Sequence, residues 1–299
     1  MIIQIYEIQT PEEAEKCIEA GVNHLGSVVL LEGKWRDPLL RETVRLIQNA
    51  EKKSCLIPLF RHSERIYRVL DYYGPDYVHF CDNLVSPEKK VYDLEPFTKL
   101  QKEVRSYFPE IRMVRSIPLP REDTDGEFPF LELAREFEAI SDVLLTDTWV
   151  EEEPVTGFIG ITGKTVDWDM AGELVRESHI PVILAGGLSP ENVSEAILKV
   201  LPAGADSCTL TNSRGPDGKA LRFRKDARKV REFVREVRMA EETIKEGLEK
   251  KLEDLKERLR DREAALPAHS VRPNQILAIE ELEDQIEEVE KEIKRLEGM

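Results

Sequence analysis

The chain has 299 residues, 41% of them apolar, and a formal net charge of −16. That length suits one domain of about 250 residues plus an appendage. The charge excludes a nucleic-acid partner, and a phosphorylated ligand would need a local site of backbone amides and a few placed cations.

Short apolar runs alternate with helical patterns along the first 235 or so residues. Strands are expected at residues 2–6, 24–30, 55–60, 77–80, 111–117, 142–147, 181–185 and 206–211. Helices are expected near 10–20, 38–50, 63–73, 92–108, 130–139, 167–177 and 190–200, with an eighth starting near 226. The first opens on Thr10-Pro11-Glu12-Glu13, a cap followed by proline and acids at the positive end, and Gly21 closes it. Runs such as Val182-Ile183-Leu184 are apolar throughout, as in strands covered on both faces. Eight β-then-α units in order predict an α/β fold, a closed (β/α)8 TIM barrel.

From about Val230 the pattern becomes heptad-like. Ile244, Leu248, Leu252, Leu255 and Leu259 form one stripe, and Ile279, Leu282, Ile286, Val289, Ile293 and Leu296 another. Residues 1–238 are therefore expected to form the barrel and 239–299 a helical arm. That arm is read as a hairpin, or as a coiled coil that makes a homo-oligomer.

No apolar run approaches the ~18 residues of a membrane span, and the first residues lack the basic start and apolar core of a signal peptide. No membrane partner is expected. Cys17, Cys55, Cys81 and Cys208 form no CxxC pair and lie at no zinc-ligand spacing. They read as thiols of a cytoplasmic protein with neither a metal nor a cofactor.

Three segments carry candidate chemistry. An apolar strand runs into Ala185-Gly186-Gly187-Leu188-Ser189-Pro190, where Gly186 and Gly187 allow amides to approach an anion. Thr209 and Thr211, after the eighth strand, are placed to close the other side of a phosphate site, the usual location in such barrels. Gly163-Lys164-Thr165 imitates the end of a nucleotide P-loop, but Asp167 rather than Lys164 opens the next helix. Asp147, ending the sixth strand, stands where barrels carry catalytic groups. Arg115, ending the fifth, is a candidate for holding an anionic substrate.

These segments resemble phosphoribosylanthranilate isomerase, over roughly residues 1–235 and best after 140. Leu184-Ala185-Gly186-Gly187-Leu188-Ser189-Pro190-Glu191-Asn192-Val193 is similar to the family's LAGGLxPxNV, and Leu144-Leu145-Thr146-Asp147-Thr148 to its LLDT. The resemblance implies a (β/α)8 enzyme of tryptophan biosynthesis, an isomerase performing an Amadori rearrangement of a phosphorylated aminoaldose. It makes Asp147 the general acid and Arg36 a substrate-binding residue. The family's cysteine base falls on Tyr6 and the following glycine on Glu7, so Tyr6 and Glu7 are the candidates for base or orienting group. The family's histidine after the fourth strand falls on Cys81. The alternative is a divergent barrel that performs other chemistry on a phosphorylated metabolite, or senses one without catalysis.

Overall fold

The computed structural model describes residues 1–124, 126–266 and 273–297. Two compact units divide the chain, Ile2–Val237 and Met1 with Arg238–Met299.

In the first unit, β1 (Ile2–Ile5), β2 (His24–Val29), β3 (Lys53–Pro58), β4 (Tyr77–Phe80), β5 (Arg112–Leu119), β6 (Val143–Thr148), β7 (Val182–Leu184) and β8 (Gly204–Ser207) form a closed barrel in chain order. All pairings are parallel, and β1 closes on β8 with Gln4 opposite Asp206. Helices α1 (Pro11–Ala20), α2 (Pro38–Asn49), α3 (Ser63–Tyr73), α4 (Glu95–Tyr107), α5 (Phe130–Glu138), α6 (Trp168–Glu177) and α7 (Val193–Val200) alternate with the strands. Local sequence sets their ends. Thr10 Oγ1 accepts the Glu13 amide and Gly21 adopts φ 98°. Asp37 and Asp167 accept the first amides of α2 and α6.

The barrel interior is filled by Tyr6, Cys55, Tyr77, Val114, Val143, Leu145, Ile183 and Ala185. It is a packed core below, and a cavity opens at the C-terminal ends of the strands.

Several boundaries differ from expectation, most at the site end of the last two units. α7 begins at Val193 because Asn192 accepts the Ser189 amide and donates to the Gly187 carbonyl, holding residues 189–192 as a turn. β8 ends at Ser207, and Thr209–Thr211 is a single 3-10 turn. After it comes an unforeseen antiparallel hairpin of β9 (Asn212–Arg214) and β10 (Ala220–Lys225). Its strands are short and only partly buried: Leu221-Arg222-Phe223-Arg224 alternates, but over just four residues.

Helix α8 (Ala227–Ala264) begins in the barrel unit, where Val230, Phe233, Val234 and Val237 are buried. In the second unit its later part meets α9 (Pro273–Glu297). Leu255, Leu282 and Val289 are buried together, with Leu248, Leu252, Leu259, Ile286 and Ile293 packed around them. Lys256 Nζ reaches Glu290 at 2.7 Å. Most of the proline-containing break lies outside the described residues. Among the described residues no helix is long and apolar enough to cross a membrane.

Candidate active site

The cavity at the strand ends is lined by residues of seven of the eight strand-end segments, including Tyr6, His79, Asp147, Gly187, Asp206 and Thr209. The sixth and seventh segments shape one wall. Thr146 Oγ1 exchanges hydrogen bonds with the Ala185 backbone at 2.8 and 2.9 Å, tying β6 to the chain just before the glycine pair. Gly186 and Gly187 then take φ 93° and 60°. A β-carbon on Gly187 would stand 2.4 Å from the Lys164 carbonyl carbon, so this close approach of two backbones needs glycine. Among the described residues the amides of Gly186, Gly187 and Leu188 meet no protein acceptor. Three free N–H groups at a cavity wall are an anion-binding surface. Thr209 lines the facing side.

Asp147 ends its strand half-buried, with Oδ1 accepting the amide of Thr148 at 2.8 Å. Burial pushes its carboxyl up to about 7, the Thr148 amide opposing. It therefore holds a proton near neutrality, as a general acid must. Asp206, which the sequence reading took as part of the last strand without giving it a role, faces the same cavity. It is 6% exposed, and its Oδ1 has no hydrogen-bond partner among the described residues. Burial raises it to about 8; Gln4 and Lys225 pull it back and Asp147 adds to the rise. An acid placed mid-strand among Gly204, Ala205 and Ser207 was the available signal.

Tyr6 lines the cavity, but its hydroxyl is engaged, 2.7 Å from His79 Nδ1 and 2.8 Å from Cys55 Sγ. His79 Nε2 continues the chain to Ser116 Oγ at 2.7 Å. Burial, reinforced by Cys55, holds the phenol well above its ordinary value. Burial also drives His79 down to about 3, so the ring is neutral. Tyr6 is thus built as a neutral, wedged side chain; its ring fills the space a β-carbon on Gly26 would need. Glu7 takes φ 63°, where the resemblance places glycine. Its carboxylate accepts from Arg222 Nε at 2.7 Å, Asn212 Nδ2 at 2.8 Å and the Phe223 amide at 3.3 Å. Burial alone would raise Glu7, but the Asn212 and Arg222 bonds hold it below its usual value. A carboxylate so satisfied is a weak base. Cys81 also lines the cavity, and burial beside Asp82 keeps it a thiol.

The structure brings Tyr6, Glu7, Asp147, Gly186, Gly187 and Thr209 together, and leaves three expected residues out. Arg115 points away from the cavity, between sheet and helices. It is fully buried, bonded to Asp82 Oδ2 and Gln101 Oε1 at 3.1 Å each and lying over the Phe137 ring. Arg36 is exposed and stacks on Trp35, 4.7 Å from the ring centre. Thr211 is buried, its hydroxyl donating to the Cys208 carbonyl at 3.0 Å. Lys164 precedes α6 in an irregular loop and does not line the cavity. Arg222, which does, went unrecognised because its hairpin did. Among the described residues no cluster of His, Cys, Asp or Glu has the arrangement to hold a metal ion.

A closed parallel barrel with two buried carboxyls and unspent amides at its C-terminal rim defines a (β/α)8 protein with a candidate anion site at the face where such barrels carry their active sites. The family model for N-(5'-phosphoribosyl)anthranilate isomerase matches residues 101–236. Two curated relatives bear that name. The one from Methanocella arvoryzae is 30% identical over 238 residues, 79% of this chain and 98% of the relative. The one from Methanothrix thermoacetophila is 31% identical over 237 residues, 79% and 97% of the two chains. The crystal structure of phosphoribosyl anthranilate isomerase from Thermotoga maritima shares the fold, with TM-score 0.58 and 19% identity over 80% of this chain and 99% of that one. The chain belongs to the N-(5'-phosphoribosyl)anthranilate isomerase family. The family model begins at residue 101, leaving out the segment that contains Tyr6 and Glu7.

Proposed function

We propose that the chain isomerises N-(5'-phosphoribosyl)anthranilate, or a close phosphorylated amino sugar, by an Amadori rearrangement in tryptophan biosynthesis. The observation that carries this is Asp147, a carboxyl that keeps its proton near pH 7 beside three unspent amides. The substrate phosphate sits on the amides of Gly186, Gly187 and Leu188, with Thr209 facing them. Asp147 gives its proton to the ribose ring oxygen, the anthranilate nitrogen lone pair moves to C1, and the ring opens to an iminium. A base then takes the C2 proton to give the enolamine, and return of that proton to C1, with loss of the C2 hydroxyl proton to the ionised Asp147, yields the aminoketose. No redox partner is needed, because C1 is reduced as C2 is oxidised.

The base in this reading is Asp206, acting in the fraction of molecules in which it has lost its proton while Asp147 keeps its own. Tyr6 is held neutral by its hydrogen bonds and Glu7 is spent on Arg222, whereas Asp206 keeps an unpartnered oxygen in the cavity. Tyr6 at the family's cysteine position favours one second reading, a different reaction on a ligand of the same phosphorylated class. Purified full-length protein incubated with N-(5'-phosphoribosyl)anthranilate separates the two. Loss of substrate fluorescence with formation of the aminoketose supports the first; binding without turnover supports the second.

The division at residues 238 and 239 gives a phosphate-binding barrel and an arm. The stripes of α8 and α9 cover each other within one chain, which supports a self-contained hairpin over an intermolecular coiled coil. Free cysteines and phosphometabolite chemistry fit a cytoplasmic site of action.

A further inference from the structure

The cavity wall is rich in carboxyl groups. Glu7, Asp147 and Asp206 all line it, and its histidine is neutral. Arg222 is the only lysine or arginine among the described residues that line it. A phosphate group entering this space meets one fixed positive charge. That charge does not come from the strand-two loop, whose Arg36 stacks on Trp35 outside the cavity.

Arg222 is carried on β10, whose partner β9 follows directly on the 3-10 turn of Thr209–Thr211. The hairpin therefore belongs to the same strand-eight segment that lines the cavity together with Gly186 and Gly187. Only Nε of the guanidinium is committed, to Glu7 Oε1 at 2.7 Å, and its terminal NH2 groups bond to no described residue. The side chain is 38% exposed, while its Glu7 partner is 2% exposed. A buried carboxylate thus holds one edge of the guanidinium and leaves the edge that pairs with oxyanions in parallel N–H···O bonds. Holding it there has required two non-glycine residues in left-handed conformations, Glu7 at φ 63° and Phe223 at φ 60°. The Phe223 amide donates to the other Glu7 oxygen, so the two unusual backbones meet on one carboxylate.

We propose that Arg222 is the cationic arm of the phosphate site, positioned by Glu7, and that it pairs with the substrate phosphate opposite the glycine amides. This rests on the phosphorylated substrate of the proposed function. The anionic groups of that substrate are a phosphate and an aryl carboxylate, and the placement on the strand-eight segment assigns Arg222 to the phosphate.

Calorimetric titration of the full-length protein with inorganic phosphate, and separately with anthranilate, tests it in wild type, Arg222→Gln and Arg222→Lys. The expected result is phosphate affinity weakened about tenfold or more in Arg222→Gln and less in Arg222→Lys, which keeps the charge but not the fork. Anthranilate affinity stays at the wild-type value, and the titrations are run at a temperature where each variant is folded, because Arg222→Gln takes a charge partner from the buried Glu7. Wild-type phosphate affinity in Arg222→Gln overturns the proposal while leaving the phosphate reading intact. So does a loss of anthranilate affinity with phosphate binding unchanged, which would place Arg222 at the carboxylate end. A wild-type protein that binds no phosphate overturns the cradle itself, and the arm with it.

Discussion

Gly160 holds the carboxylate of Asp147 in place by lacking a side chain: a β-carbon there would stand 2.4 Å from Asp147 Oδ2. Gly160 also adopts φ 98°, a conformation that side chains resist. Gly160→Ala therefore displaces the acid and strains the loop together. A fall in kcat of about tenfold to a hundredfold is expected, since misplacement of a reacting group by about 1 Å costs that much. Steady-state kinetics check it, and an unchanged kcat would detach Asp147 from the chemistry.

The two cavity carboxyls set the pH response. With Asp147 raised to about 7 as acid and Asp206 to about 8 as base, kcat/KM should trace a narrow bell centred near pH ~7.5, its flanks belonging to the pair together. Stability carries the opposite signature. Both carboxyls bind protons more tightly in the folded chain than at the ordinary ~3.9 of an unfolded aspartate. Their contribution is complete below about pH 4 and is lost as pH rises through 7 to 8. Asp206→Asn, which cannot ionise, should melt increasingly above wild type as pH rises from about 4 to about 8, with the gap level beyond. The two melting curves should draw together near pH ~4. A constant gap across pH would mean that Asp206 is not protonated in the fold.

Arg115 is expected to matter for stability and not for substrate. Its pair with Asp82 is fully buried, and removing Arg115 leaves Asp82 only the half-exposed Arg61 and leaves Gln101 Oε1 without its guanidinium donor. Arg115→Met should cost about 3–5 kcal/mol in urea unfolding. The fraction that folds should keep the wild-type KM. A raised KM with full stability would return Arg115 to the substrate.

The barrel was legible because its strands are apolar on both faces and its helices open on residues such as Thr10-Pro11 and Asp37-Pro38, whose caps the structure contains. The glycine pair was legible for the same kind of reason: two consecutive residues at positive φ leave a mark in composition. Direction was harder to read. Arg115 was expected at a strand end but is the fourth residue of β5, and where side chains alternate inward and outward, sequence position alone did not tell which way it faces. Asp206 was passed over because an acid inside a barrel strand is visible as a site only once the cavity reaches down to it. Arg222 was missed because β9 and β10 bury little, and the alternation Leu221-Arg222-Phe223-Arg224 is too short to separate from a charged loop.

The arm should be dispensable for assembly if its seam is satisfied within one chain, as Leu255, Leu282 and Val289 indicate. Truncation after residue 238 should leave the number of chains per particle unchanged in light scattering. A change would make the arm an intermolecular coiled coil.

The most direct measurement is kcat/KM for N-(5'-phosphoribosyl)anthranilate in Asp147→Asn, Asp206→Asn and Tyr6→Phe, assayed side by side with wild type. Both asparagine variants should lose about 10²–10⁴-fold, the usual worth of a general acid or base, while Tyr6→Phe stays within about fivefold. An active Asp206→Asn beside an inactive Tyr6→Phe would contradict the account.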